Sequence, residues 1–336
     1  MAKNRFDQVI DAFEPDFRRA FLDAVYAMRD AADFAQLVRM IEAGDVDGAI
    51  RAVGLDPSQL RFLDSTRIEA FQAAGNYTAQ IIPVAVDEEG FRTIFQFAIR
   101  NPDAEAWLRS RAAEDVVDIL DDQRNAIRAF LEAGLQAGDN PRTSALDLIG
   151  RISKETGRRE GGVIGLTSSQ EEWVRNYEAE LRSDDPAAAL ERALRDKRFD
   201  RIVNRAIADG EAIPDSAIDS MVTAYKNRAL RYRAETIART ETIAAVHEAQ
   251  SQALTQAVRA GIVSATAITM TWNSAGDERV RDSHEELDGE TILMGEYFET
   301  ENGPIRFPGD PLADISETIN CRCWLEPGID FLAGVD

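Results

Sequence analysis

Val258-Arg259-Ala260-Gly261-Ile262-Val263-Ser264-Ala265-Thr266-Ala267-Ile268-Thr269-Met270-Thr271-Trp272 is the stretch in which this chain changes its period. Upstream of it, Pro214-Asp215-Ser216 reads as a helix start, and no breaker follows until Gly261. Proline suits the first turn of a helix, and glycine just past the end suits its termination. A helix over 215–260 would run on the order of 65 Å, a length found in bundles and struts. Downstream, Ile268 to Trp272 alternates with period two and has strand-forming residue types. Further short extended pieces are expected around Thr291–Met294, Ile305–Phe307 and Cys323–Leu325, because Gly276, Gly289, Gly295, Gly303, Pro304, Pro308, Gly309 and Pro311 punctuate them. The fold class is therefore α+β: a mostly helical N-terminal region, a long helix, then a small C-terminal α+β domain with short strands.

Towards the N-terminus the pattern is helical. Phe13, Phe17, Phe21, Val25 and Met28 recur at three- and four-residue spacing. Asp56-Pro57-Ser58 opens a second helical stretch, and Asn101-Pro102-Asp103 opens a long one that runs to about Leu135. Between them, Ile81, Ile82, Val84 and Val86 around Pro83 suggest a short extended segment or edge strand within 79–102. Thr167-Ser168-Ser169-Gln170 offers N-caps to a helix carrying Trp173 and Tyr177. The organisation expected is a helical region over 1–140, a linker and helical region over 141–213, a C-terminal domain over 214–328 and a tail over 329–336. Gly157, Gly161, Gly162 and Gly165, set among charges, suggest a glycine-rich hinge at 157–165.

Composition narrows the function. The chain has 336 residues, 44% hydrophobic and 29% charged, which suits packed domains rather than disorder. No apolar run is long enough to span a bilayer, and Met1 to Asp7 lack the apolar core of a secretory signal. The two cysteines, one residue apart, do not make a disulfide framework, which fits synthesis in a reducing cytoplasm. Net charge is −22, and residues 270–336 hold 16 acidic against 4 basic side chains. So acidic a surface repels nucleic acid. Weak DNA contact is left to the arginine-rich segment 192–233, whose interleaved acids also fit a solvated helix face.

Chemistry-bearing residues gather near the C-terminus. Ala238-Arg239-Thr240-Glu241 lies on the long helix, where Arg239, Ile243, His247, Gln250 and Leu254 share one stripe. Asp277-Glu278-Arg279-Val280-Arg281-Asp282-Ser283-His284 and Leu287-Asp288-Gly289 follow, then Pro308-Gly309-Asp310 and Asn320-Cys321-Arg322-Cys323. Both histidines and both cysteines meet if the C-terminal unit folds back on the helix. The ordered set, with Trp272, resembles the phage Mu F-like head morphogenesis domain over roughly 215–328. That resemblance implies a minor head protein of a tailed phage or prophage, acting in procapsid assembly. It implies the portal, major capsid and scaffold proteins as partners, with a part in packaged DNA retention or delivery. It also implies location in the virion, at the head interior or portal vertex, after assembly in the bacterial cytoplasm.

The residues themselves admit three readings. In the one carried forward, Arg239, Arg279, Arg281 and Arg322 pair with Glu241, Asp277, Asp282 and Asp288, and with His284 and Asn320 they staple loops that hold few apolar residues. In the second, His284, Cys321 and Cys323, joined by His247 or Asp277, bind zinc, although Cys-x-Cys is a poorer signature than Cys-x-x-Cys. In the third, Cys321 or Cys323 with His284 and Asp277 forms a nucleophile–base–acid set, making the chain a metal-dependent or cysteine hydrolase of head maturation. The expectation is a binding protein without catalytic residues or obligatory cofactor.

Overall fold

The fold is described from a computed structural model covering residues 5–86 and 90–330. The tail expected over 329–336 lies outside the described residues from 331 onward. The first part is helical, with α1 (Arg5–Ala31), α2 (Phe34–Glu42), α3 (Val46–Val53) and α4 (Arg61–Ile81), then the two-residue strands β1 (Ala85–Val86) and β2 (Arg92–Thr93). Next come α5 (Pro102–Ala137), α6 (Pro141–Ile149), β3 (Arg151–Ile152), β4 (Arg159–Glu160), α7 (Ser168–Arg182), α8 (Asp200–Asp209) and the 45-residue α9 (Asp215–Arg259). The rest comprises β5 (Ile268–Asn273), α10 (Asp282–Glu286), β6 (Thr291–Leu293), β7 (Phe298–Thr300), β8 (Gly303–Ile305), α11 (Ile315–Thr318) and β9 (Trp324–Ile329). The class is α+β, and no described helix is long and apolar enough to cross a membrane.

Two compact units make up the chain, each drawn from separated stretches. Linear segments such as 1–140 and 141–213 have no means of expressing that interleaving. The first unit joins residues 1–19, 63–112 and 235–336. At its centre, antiparallel β6-β5-β9 packs on the C-terminal part of α9. Strand β5 alternates as its sequence demands: Ile268, Met270 and Trp272 are buried and their neighbours are partly exposed. They meet Val246, Ala249, Ala253, Leu254 and Ala257, whose small side chains let sheet and helix approach closely. Gly261, at φ +70°, ends α9 in the left-handed conformation that favours glycine.

The second unit joins residues 20–62 and 113–234 and is built from α2, α3, α6, α7, α8 and parts of α1, α5 and α9. Buried Arg29 organises it. Its guanidinium donates to the carbonyls of Ile164 at 2.9 and 2.6 Å, Gly162 at 2.9 Å and Arg159 at 3.0 Å. Burial lowers the Arg29 pKa to about 10. Residues 157–165, where the glycine-rich hinge is expected, comprise a hairpin arm followed by a buried strip. A Cβ on Gly162 would stand 2.8 Å from the Gly150 nitrogen. Gly161, Gly162 and Gly165 are closely packed, whereas Gly157 faces open space at φ +68°. Thr167 and Gln170 form the capping box of α7.

Arginines of the 192–233 segment are largely matched within this unit. Arg192 pairs with Glu180, Arg195 with Asp200, Arg198 and Arg228 with Asp196, and Arg233 with Asp122.

Candidate functional site

Ala238-Arg239-Thr240-Glu241 works on several sides of α9 at once. Ala238 is fully buried, and Arg239 holds Glu14 at 3.0–3.3 Å. The hydroxyl of Thr240 accepts the backbone N–H of Asn320 at 2.9 Å. Glu241 is buried and takes Arg67 at 3.3 Å and Arg111 at 2.5 and 3.0 Å. The stripe continues with His247, whose Nδ1 lies 2.9 Å from the Pro308 carbonyl and whose Nε2 accepts the Leu325 N–H at 3.2 Å. That pattern sets the tautomer: Nδ1 carries the proton. Burial drives the pKa of His247 down to about 4. Gln250 reaches the Leu325 carbonyl at 3.4 Å. At φ +75°, Gly309 passes so near α9 that a Cβ would stand 2.7 Å from Ile243 Cγ2.

A fork of hydrogen bonds closes the loop before α10. Arg322 grips Asp277 through both terminal nitrogens, at 2.8 and 2.7 Å, and Arg279 adds a contact at 3.0 Å. Desolvation raises the Asp277 carboxyl, but the bonds from Arg279 and Arg322 prevail and hold it below the usual range. Asp288 caps the turn by accepting the Ser274 N–H at 2.7 Å, and Arg281 bonds the Ile319 carbonyl. Asn320 sits at φ 57°, the one non-glycine at positive φ among the described residues. Asp277, Arg279 and Arg322 form one group, Arg281, Asp288 and Asn320 bind backbone or α9, and Arg239 and Glu241 turn to other helices.

Beneath the fork lies a buried cluster. His284, Cys321 and Cys323 are 1%, 1% and 2% exposed. Their nearest ligand-type atoms lie within 4.8 Å of one another, and both sulfurs stand 3.5 Å from His284 Nδ1. On the far side of the ring, Glu317 Oε2 lies 3.0 Å from Nε2, off the angle of a well-formed hydrogen bond. Glu317 is held in turn by Ser283 at 2.9 Å and Asn302 at 2.7 Å. The edge of Trp272 packs on the imidazole, with ring centroids 4.9 Å apart. Donation from Cys323 holds the Cys321 thiol low against burial, while the neighbouring Cys321 and burial push Cys323 up.

Of the five residues considered for a metal, His284, Cys321 and Cys323 converge. His247 is committed to backbone partners and Asp277 to Arg322. Sequence reasoning missed Glu317, which carries no spacing signal and is one acidic residue among many in this stretch. Sulfur, imidazole and carboxylate stand in the order of an activated thiol. Yet all four residues are buried, and a neighbouring cavity of about 150 Å³ is lined by His247, Gln250, Leu254, Met270, Phe307 and Leu325, not by the cysteines.

Residues 197–326 match the family model described as Phage Mu protein F like protein, a likeness confined to that stretch of the chain. The match begins upstream of the expected start at 214 and takes in α8. The uncharacterized protein YqbB of Bacillus subtilis (strain 168) is 29% identical over 133 residues, 38% of this chain and 40% of that protein. The chain therefore spans well under half the length of that relative. No solved structure matches.

Proposed function

We propose, from the match of residues 197–326 to the Phage Mu protein F like family model, that this protein is a minor component of a tailed-phage head and acts by binding during procapsid assembly. The family match carries the reading. Its partners are the portal and the major capsid or scaffold proteins, and it resides in the virion at the portal vertex or head interior. Residue chemistry supports binding over catalysis, because the groups that could react are closed off while arginine–carboxylate forks hold the surrounding loops. The intramolecular pairing of Arg192, Arg195, Arg198, Arg228 and Arg233 leaves DNA contact through 192–233 a weak, secondary contribution.

A hydrolase of head maturation is the second reading, favoured only by the Cys321–His284–Glu317 alignment. Co-expression with the portal and capsid proteins encoded in the same genome separates the two. Stable co-purification with the portal supports the assembly role. Shortened capsid chains that stay intact with Cys321→Ser, together with absence of any complex, would replace it with the hydrolase.

A further inference from the structure

The buried cluster brings two sulfurs and one imidazole nitrogen within 4.8 Å of one another. With a carboxylate beside Nε2, the imidazole proton belongs there, and Nδ1 turns its lone pair to the two sulfurs. One lone pair accepts one S–H. The second thiol, Cys323, stands at the same 3.5 Å from that nitrogen and is hydrogen-bonded to Cys321. In a tetrahedral zinc site, with Zn–S about 2.3 Å and Zn–N about 2.0–2.1 Å, the sulfur-to-nitrogen edge is about 3.6 Å. Both observed separations match that edge.

We propose that His284 Nδ1, Cys321 Sγ and Cys323 Sγ bind one zinc ion, with Glu317 as the carboxylate that orients the imidazole. Metal-bound histidines characteristically present their other nitrogen to such a carboxylate. Glu317 is itself fixed by Ser283 and Asn302, so its direction is set before metal arrives. Binding forms two Zn–S bonds and one Zn–N bond and releases two thiol protons to solvent. Two thiolates cancel the ion's charge, which makes the site tolerable in a buried setting. Thiolate and imidazole select zinc over magnesium or calcium. Among the described residues, no fourth His, Cys, Asp or Glu ligand atom joins these three. The role is structural: the ion ties the Asn320–Cys323 turn to α10, where the chain has few apolar residues to do so. This proposal does not rest on the assembly role.

The test uses the full chain, purified under reducing conditions without chelator. Elemental analysis should return about one zinc per chain. Replacing zinc by Co²⁺ should give a thiolate-to-cobalt charge-transfer band and the strong visible absorption of tetrahedral cobalt. Cys321→Ser/Cys323→Ser should lose both, while Asp277→Asn should keep them. Glu317→Gln, with unchanged circular dichroism, should weaken zinc binding 10- to 100-fold. If the double serine variant does not fold, the wild-type cobalt spectrum and the Glu317→Gln titration decide. Wild-type protein without metal and without cobalt bands overturns the proposal, as does an intramolecular disulfide in its place. Zinc retained by a folded double variant overturns it equally.

Discussion

The backbone nitrogen of Asn320 donates to the Thr240 hydroxyl at 2.9 Å, joining two motifs that lie 80 residues apart. Through this contact the turn that carries both cysteines is registered on α9. Asn320 adopts φ 57°, the left-handed conformation that asparagine tolerates better than other side-chain-bearing residues.

Asn320→Gly should therefore leave stability nearly unchanged, whereas Asn320→Ala should cost about 1 kcal/mol. Urea denaturation of the two variants checks the order. An alanine variant as stable as the glycine one would show that the turn is not strained.

Glu241 is the common partner of Arg67 and Arg111 inside the first unit. Removing one member of a buried ion pair leaves uncompensated charge, at a cost of about 3 kcal/mol. Glu241→Ala should show a loss of that order in chemical denaturation, with a lowered melting temperature. A loss no larger than that of an exposed glutamate would contradict the arrangement.

His247 stays neutral in the fold, with its pKa lowered to about 4 against an ordinary value of 6.5. Below about pH 6.5 the unfolded chain binds a proton that the folded chain refuses, so stability falls as pH drops and levels off near 4. The shift corresponds to about 3 kcal/mol. His247→Asn should flatten this part of the stability–pH curve. A wild-type curve that is already flat between 6.5 and 4 would refute the assignment.

The Asp277–Arg322 fork acts in a lower window. Its carboxyl is held below the usual range, so its contribution is complete above the ordinary carboxylate pKa and is lost as pH falls through the lowered one. Melting temperatures of Asp277→Asn, Arg322→Gln and the double variant should show less than additive losses near neutrality. Full additivity would mean that the two side chains do not interact.

Much of this was legible in the chain itself. The uninterrupted run from Pro214 to Gly261 became α9, and the alternation from Ile268 to Trp272 became β5, because helix and strand periods are local properties. The extended pieces near Thr291 and Cys323 likewise became β6 and β9, while β7 at Phe298–Thr300 was not anticipated. Partner choice was harder to read. Arg239, grouped in sequence with Glu241, Asp277, Asp282 and Asp288, instead holds Glu14, since a helix stripe tells which residues share a face but not what packs on it. His247 and His284 looked equivalent as residue types. Only the fold shows that backbone groups occupy both nitrogens of one, while thiols and a carboxylate flank the other. Gly161, Gly162 and Gly165 are ambiguous in sequence for a related reason: close packing and mobility call for the same residue.

The function proposed for this chain requires that it be built into phage heads. Quantitative mass spectrometry of procapsids and virions, purified from the strain that encodes it, measures this directly. The prediction is peptides spanning residues 197–326 at a low, constant ratio to the major capsid protein in procapsids. Particles of normal composition from which this chain is absent at every stage would contradict it.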